Sequence, residues 1–131
     1  MAKTRVLNRS AETKTQAVPA ADRRASTRVT SAMEAKRLDP VIHERMRLAI
    51  ISALAVSDKL SFNELRGLLE TSDGNISIHT RRLEEAGYIQ VLKSFSGRMP
   101  KTEYAITPEG KKALVGYLET MQQIIRSQNK N

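Results

Sequence analysis

The sequence predicts a mainly α-helical fold of the α+β class, with a single β-hairpin in front of the last helix. Apolar residues recur at helical spacing over most of residues 39–126, whereas strand-like residues are concentrated between residues 88 and 106. Capping residues, proline and glycine mark the boundaries of these segments. The chain has 131 residues, about the length of one domain. The predicted order is helix, helix, turn, helix, hairpin, helix.

Residues 1–38 differ in composition from the rest of the chain. They contain no aromatic residue and no sustained apolar period, and their nine Lys and Arg against three Asp and Glu supply most of the net charge of +8. Such a segment buries too little apolar surface to offset the entropy lost on ordering. We therefore expect a disordered basic tail over residues 1–38 and a folded domain over residues 39–131. An organelle transit peptide is the alternative interpretation of the tail.

The first predicted helix begins at Asp39 and Pro40, with the aspartate as N-cap and the proline in the first helical position. Its apolar residues fall on two faces. One face carries Ile42, Met46, Ala49, Ile50 and Ala53, and the other carries Val41, Leu48, Ile51 and Ala55. A helix that is apolar on two faces lies in the centre of a core or is shared with a partner chain.

Two short helices joined by a tight turn follow. Ser61 and Glu64 have the spacing of a capping box, which begins a helix that reaches about Glu70. Residues 71–74 form the turn, with Ser72 or Asp73 as the next N-cap. The third helix runs from about Gly74 to Ala86 and ends at Gly87. This arrangement indicates a helix-turn-helix.

Strand-forming residues predict a β-hairpin after the third helix. One strand runs from Tyr88 towards Phe95, a second runs from Lys101 to Ile106, and turn residues separate them. Thr107 and Pro108 then begin a long last helix that reaches about Arg126. Its apolar stripe consists of Leu114, Tyr117, Leu118, Met121, Ile124 and Ile125. A helix-turn-helix followed by a hairpin is the winged-helix plan, and the hairpin is its wing.

Several motifs in this plan match a known family. They are the residues from Leu38 to His43, from Asp73 to His79, from Leu83 to Tyr88, and from Thr102 to Tyr104 leading to residues 107–110. On these motifs the stretch from Leu38 to about Leu118 resembles the winged-helix transcriptional regulators of the MarR/ArsR type. The resemblance implies a cytoplasmic, nucleoid-associated homodimer that grips double-stranded DNA and acts as a repressor. Members of this family commonly respond to small molecules, metals or oxidants, so the resemblance implies an unidentified small-molecule effector, with a repressor that needs no ligand as the alternative. The lack of Cys excludes sensing by thiol oxidation or by Cys-bound metal.

The helical projection of residues 74–86 separates a core face from an outward face. Ile76, Thr80, Leu83 and Ala86 cluster towards the core, with His79 at the margin. Gly74, Ser77, Ile78, Arg81 and Glu85 cluster outward, towards a DNA groove. The predicted DNA contacts are Gly74, Asn75, Ser77, Ile78, Arg81 and Arg82 on the helix, and Lys93, Arg98 and Lys101 on the wing.

Side-chain chemistry gives these residues different roles. Arg81 is suited to a bidentate guanine contact or a phosphate, Ile78 to a thymine methyl, and Gly74 to close approach of a phosphate to the helix N-terminus. Ser77 and Asn75 suit a base edge or a phosphate. Arg82 suits a phosphate, and the wing cations suit the backbone or the neighbouring minor groove. The alternatives are a solvated charged helix face, burial of Ile78 against the wing, and wing cations that only keep the hairpin soluble.

The stripe on the last helix is longer than a domain of about ninety residues requires for its own core. We therefore expect a dimer interface, formed by Val41, Leu48, Leu114, Tyr117, Leu118, Met121 and Ile125. The alternative is packing of the last helix on the first helix of the same chain.

The sequence lacks the signatures of metal-binding proteins, enzymes and membrane-spanning proteins. There is no Cys, the only histidines are His43 and His79, and no phosphate-cradling loop or catalytic motif occurs, so we expect no metal, no cofactor and no enzyme activity. The longest apolar run, Leu48 to Val56, has nine residues, whereas a membrane span needs roughly 20. Two other functions stay open: a winged-helix module that binds protein, and a sequence-blind architectural DNA-binding protein.

Overall fold

The computed structural model describes residues 20–129. Its helices are α1 (Ala20–Lys36), α2 (Arg45–Ala55), α3 (Phe62–Leu69), α4 (Asp73–Glu85) and α5 (Pro108–Asn129), and its strands are β1 (Leu60–Ser61), β2 (Ile89–Ser96) and β3 (Met99–Ile106). The strands form one antiparallel sheet in the order β1-β3-β2. The predicted α+β class, with a helix-turn-helix, a hairpin wing and a long last helix, is confirmed.

Helix α1 lies in the segment that the sequence predicts to be disordered, so that prediction is wrong for residues 20–36; residues 1–19 lie outside the described residues. Helix α1 packs along α5. Its partly buried side chains include the small polar residues Thr27 and Ser31, and Gln128 Nε2 donates to Ser31 Oγ at 3.4 Å. The stabilising contacts come from another helix, and the segment has no apolar stripe that would have revealed them.

The first predicted helix begins later than expected. Asp39 Oδ1 accepts from the amides of Val41 and Ile42 at 2.8 and 3.3 Å, as an N-cap would, but it closes only a single turn. Helix α2 begins at Arg45, because the Glu44 carboxylate caps it by accepting from the Arg47 amide at 2.8 Å. The Asp39 carboxylate also accepts from the Tyr88 hydroxyl, and this bond raises the pKa of Tyr88 to about 12.

The helix-turn-helix has the predicted caps. Ser61 and Glu64 form both bonds of the capping box, at 3.0 and 2.8 Å. Of the two candidates for the next cap, Ser72 is the one that caps α4. Gly87, with a φ of 82°, turns the chain into β2. The two-residue strand β1 was not predicted, and it extends the hairpin by pairing with β3.

The core lies between the helix-turn-helix, formed by α3 and α4, and the helices α2 and α5. Its fully buried side chains are Ile42, Ile50, Ile51, Leu54, Leu65, Ile76 and Leu83. Of the two predicted apolar faces of the first helix, Ile51 from the second face is in the core, whereas Ala55 is exposed. Ala86, predicted to face the core, is also exposed, because it is the C-cap of α4.

Gly110 fixes the position of α5 against the wing. A Cβ at Gly110 would lie 2.1 Å from the carbonyl oxygen of Tyr88, so the two backbones approach more closely than any other residue permits. Thr107 supports the same corner, since its hydroxyl donates to Gly87 O at 2.6 Å and accepts from the Gly110 amide at 3.0 Å. Within residues 20–129, no helix is long and apolar enough to span a membrane.

Candidate nucleic-acid interface

Helix α4 turns the predicted face outward. Ser77, Ile78 and Arg81 are exposed, whereas Ile76 and Leu83 are fully buried, so the predicted rotation of the helix is confirmed. Thr80 is buried in place of an apolar residue, and its hydroxyl donates to Ile76 O at 2.7 Å. Ile78 is 59% exposed, so the alternative in which it packs against the wing is wrong.

The N-terminus of α4 is open at Gly74. A Cβ there would meet only Ser72 Oγ, at 4.0 Å, so the fold itself does not require glycine at this position. The Asn75 side chain already has a partner, because Nδ2 donates to Thr71 Oγ1 at 2.9 Å. Asp73 in the first turn pairs with Arg66 at 2.7 Å, and this ion pair joins α3 to α4. Arg66 therefore offsets the negative charge that Asp73 would present to an anion at this helix end.

The two arginines of α4 are available to an external partner. Both Arg81 and Arg82 are exposed, and neither makes an ion pair with another residue of the described chain. The expected alternative, a solvated face held by ion pairs to Glu84 and Glu85, therefore finds no support in the described residues. An exposed guanidinium keeps its planar set of donors for a base edge or a phosphate.

The three basic residues predicted on the wing lie in three different places: one on each face of the hairpin and one at its tip. Lys93 pairs in register with Thr102, and Ser94 pairs with Lys101, so the two lysines point to opposite faces of the hairpin. Lys93 faces α4. Lys101 faces away from α4 and lies 3.5 Å from Glu103 Oε2, whose other oxygen lies 3.6 Å from Lys59. Arg98 lies in the turn at the tip.

A groove runs between α4 and the wing. Ser77 and Arg81 line its helix side, and Lys93 and Thr102 line its wing side. Glu84 is its acidic lining residue, whereas Arg81 and Lys93 are basic. The structure thus places three of the predicted contacts, Ser77, Arg81 and Lys93, on the two sides of one groove. The other predicted contacts, Gly74, Asn75, Ile78, Arg82, Arg98 and Lys101, do not line this groove.

A polar cluster behind α4 was missed by sequence reasoning. Nη1 of Arg47 lies 3.1 Å from Nδ1 of His79, and Nε of Arg47 donates to Val41 O at 2.6 Å. A guanidinium only donates, so His79 Nδ1 is the acceptor of this bond. No local pattern could have revealed the contact, because the two residues are 32 positions apart.

Glu44 completes this cluster, with Oε1 at 3.6 Å from His79 Nδ1. Burial acts to raise the pKa of Glu44. The hydrogen bond from the Arg47 amide and the positive charge of the Arg47 side chain act in the opposite direction, and the pKa lies below its ordinary value. The cluster therefore connects the N-terminus of α2 to the inner face of α4.

The residues predicted to form a dimer interface fall into three groups. Leu114 and Tyr117 are 7% and 5% exposed and lie in the core of the single chain, which leaves little of either for a partner. His43 Nδ1 lies 2.9 Å from the Tyr117 hydroxyl. Val41, Leu48 and Met121 are half-buried against that core, whereas Leu118 and Ile125 are 50% and 52% exposed.

Helix α1 adds apolar residues that the sequence prediction did not include. Val29 and Met33 are 63% and 55% exposed, and they are one helical turn apart. The sequence prediction missed these two residues because it assigned residues 1–38 to a disordered tail. Helix α1 packs on α5, so two adjacent helices carry exposed apolar side chains.

Comparisons with known proteins agree with this geometry. The chain is similar to an uncharacterized protein of Methanocaldococcus jannaschii, 29% identical over 87 residues that cover 66% of this chain and 95% of that protein. It is similar in structure to the transcriptional regulator homologue protein from Pyrococcus horikoshii OT3, with a TM-score of 0.69 and 26% identity, covering 73% of this chain and 97% of the other.

The expected likeness to MarR-type regulators is confirmed at the level of the fold. MarR superposes with a TM-score of 0.59 at 18% identity, covering 74% of this chain and 70% of MarR. The family model of the winged helix DNA-binding domain matches residues 46–125, more than half of the chain. The fold is thus that of DNA-binding transcriptional regulators, and the chain belongs to the winged helix DNA-binding domain family.

Proposed function

We propose that this protein is a transcriptional regulator that binds double-stranded DNA as a homodimer, with α4 in the major groove and the wing along the adjacent backbone. The observation that carries the proposal is the pair of exposed arginines on α4, Arg81 and Arg82, without an ion-pair partner in the described chain. Repression by occupying an operator follows from the resemblance to MarR-type proteins, as does a small-molecule effector.

The proposed docking surface consists of the outward face of α4, the N-terminus of α4 and the wing. Ser77 and Arg81 meet base edges or phosphates, Ile78 meets a thymine methyl, and the N-terminus of α4 at Gly74 receives a phosphate. Lys93 and Arg98 contact the flanking backbone. Arg82 is exposed on α4 and contributes a phosphate contact. Lys101 contributes to the local positive potential rather than to a direct contact, because it pairs with Glu103.

The homodimer is proposed from the apolar residues that α1 and α5 leave exposed. Val29 and Met33 on α1 lie on a helix that packs along α5, where Leu118 and Ile125 are about half exposed. Burying such a surface is favourable by about 25 cal/mol for each Å² of apolar area. Two copies of α4 about 34 Å apart would read successive major grooves on one face of the duplex.

The DNA-binding function is tested by selecting sequences from a pool of random duplexes at two salt concentrations. A regulator should enrich one sequence with two related half-sites, and its affinity should fall steeply with salt. A sequence-blind architectural protein would show the salt dependence without the enrichment. Absence of salt-dependent binding would overturn the proposal and favour a module that binds protein.

The dimer is tested by sedimentation of a Leu118→Glu variant beside a control, Gln122→Glu, which changes the same helix at an exposed polar position. The proposal expects a dimer for the wild type and the control, and a monomer for Leu118→Glu. An unchanged mass for Leu118→Glu would contradict this interface.

A further inference from the structure

The tip of the wing exposes an unusual amount of apolar surface. Phe95 is 72% exposed and Met99 is 69% exposed. Phe95 pairs in register with Pro100, and Ser96 pairs with Met99. Cross-strand partners share a face and successive residues alternate, so Phe95 and Pro100 lie on one face and Met99 on the other. The described residues of the protomer leave most of Phe95 uncovered, which indicates an external partner for it.

The backbone holds this aromatic ring in a defined place. Gly97 and Arg98 form a two-residue loop between paired strands, and the φ of Gly97 is 66° whereas that of Arg98 is not positive. This combination is typical of a type II′ hairpin turn, which matches the twist of the strands. Phe95 is therefore carried on a paired strand close to a tight turn, so inserting it into a partner costs little additional ordering.

The charge around the tip indicates a polyanion as that partner. Residues 93–102 contain Lys93, Arg98 and Lys101 and no acidic residue. Lys101 pairs with Glu103, whereas Lys93 and Arg98 make no ion pair within the described residues and remain for a partner. Lys93 lies two positions before Phe95 on the same strand, hence on the same face, which lines the groove opposite Ser77 and Arg81. Phe95 lies four residues beyond Val91, about 13 Å further along the strand. A duplex docked on α4 would therefore present its next groove to the tip.

We propose that Phe95 inserts as an apolar wedge at one base step of the minor groove next to the site read by α4. The proposal rests on the DNA-binding function proposed above and adds a specificity determinant to it. Apolar side chains that enter the minor groove partly unstack a base step and bend the duplex. Pyrimidine–purine steps deform most easily, so the protein prefers such a step beneath the wing without a hydrogen bond to any base there. Arg98 neutralises phosphates at the rim of the same groove.

The test uses a duplex recovered from the random pool, in a series where a TpA step containing 2-aminopurine is moved through each flank. Unstacking of the probe raises its fluorescence, and the ends of the same duplexes carry a dye pair that reports bending. The proteins are the full-length wild type, Phe95→Ala, Phe95→Leu and Met99→Ala. Met99→Ala is the matched control, because it removes an equally exposed apolar side chain from the opposite face.

The wild type should raise the fluorescence at one flanking step on each side and bend the duplex. Phe95→Ala should lose both signals and bind about tenfold more weakly, in keeping with the loss of one aromatic contact to a base. Its salt dependence should stay that of the wild type, since no charge is removed. Phe95→Leu should restore part of both signals, and Met99→Ala should behave as the wild type.

Bending and unstacking by Phe95→Ala at the level of the wild type would overturn the wedge while leaving the DNA-binding function intact. Equal losses from Phe95→Ala and Met99→Ala would also overturn it, because they would indicate a general apolar contact of the tip. If the wild type recovers no duplex from the random pool, that result would instead contradict the DNA-binding function on which the wedge rests.

Discussion

Nη1 of Arg47 lies 3.1 Å from Nδ1 of His79, and this contact joins the N-terminal part of α2 to the inner face of α4. His79 is only 18% exposed, so the bond is made in a partly dehydrated place. It lies on the opposite side of α4 from the residues proposed to read DNA. We therefore expect it to determine how firmly α4 is held and not what α4 contacts.

Substitution of His79 by Ala should lower the free energy of unfolding by about 1.5–3 kcal/mol, the typical contribution of a hydrogen bond to a charged group. Arg47→Ala should cost more, because the guanidinium also donates to Val41 O. Chemical denaturation measures both values, with the exposed Ser77→Ala as the control. A His79→Ala variant as stable as Ser77→Ala would contradict the role given to this contact.

Gly110 and Gly116 lie on the same helix and should respond in opposite directions to alanine. Gly110→Ala forces α5 away from Tyr88 O, which should lower the free energy of unfolding by about 1–3 kcal/mol. Gly116 has open space around it, so Gly116→Ala should raise stability by up to about 1 kcal/mol. Thermal or chemical denaturation of both variants provides the measurement. Equal effects would show that the close approach at Gly110 is unimportant.

Gly74→Ala separates folding from DNA binding. The added methyl group has room in the free protein, so stability should stay unchanged or rise by up to about 1 kcal/mol. Affinity for a selected duplex should fall, because the methyl group would hold a phosphate away from the helix N-terminus. Gly67→Ala on α3 is the control, since it too meets open space. An affinity of Gly74→Ala equal to that of the wild type would contradict the proposed phosphate contact at Gly74.

The capping box of α3 should make stability depend on pH. The hydrogen bond from the Ser61 amide is the main reason that the pKa of Glu64 lies below its ordinary value of 4.5. A carboxyl group with a lowered pKa stabilises the folded state above its unfolded-state pKa, and the stabilisation disappears as pH falls through the folded-state value. The free energy of unfolding should therefore decrease with acidification below about pH 4.5.

Glu64→Gln isolates this contribution. The amide oxygen of Gln still accepts the bond in the capping box, and only the charge is lost. The variant should be less stable than the wild type at pH 7, and the difference should vanish in acid. A difference that persists unchanged at low pH would contradict the electrostatic origin of the effect.

The elements that the sequence predicted well are those with local signals. The Ser61–Glu64 box, the Ser72 cap and Gly87 mark the helix-turn-helix because each one satisfies or turns a backbone group within a few residues. The outward face of α4 was also predictable, since the burial of Ile76 and Leu83 follows from helical spacing alone.

The elements that escaped prediction depend on contacts between distant segments. Helix α1 is stabilised by α5, about ninety positions later, and its polar sequence carries no sign of that contact. Asp39 has the sequence context of a helix N-cap. The N-cap of α2 is instead Glu44, because its carboxylate accepts from the Arg47 amide. The direction of Lys101 depends on the hairpin register and on Glu103, neither of which a list of basic residues reveals.

The affinity of Arg81→Ala for the selected duplex and for its single-base variants tests the proposed role of α4 most directly. If Arg81 reads a base from α4, the variant should lose roughly 1–3 kcal/mol of binding free energy and should stop discriminating at one position of each half-site. If Arg81 holds only a phosphate, the loss should be similar across all sequences. An affinity equal to that of the wild type on every duplex would contradict the proposal that α4 carries the DNA contacts.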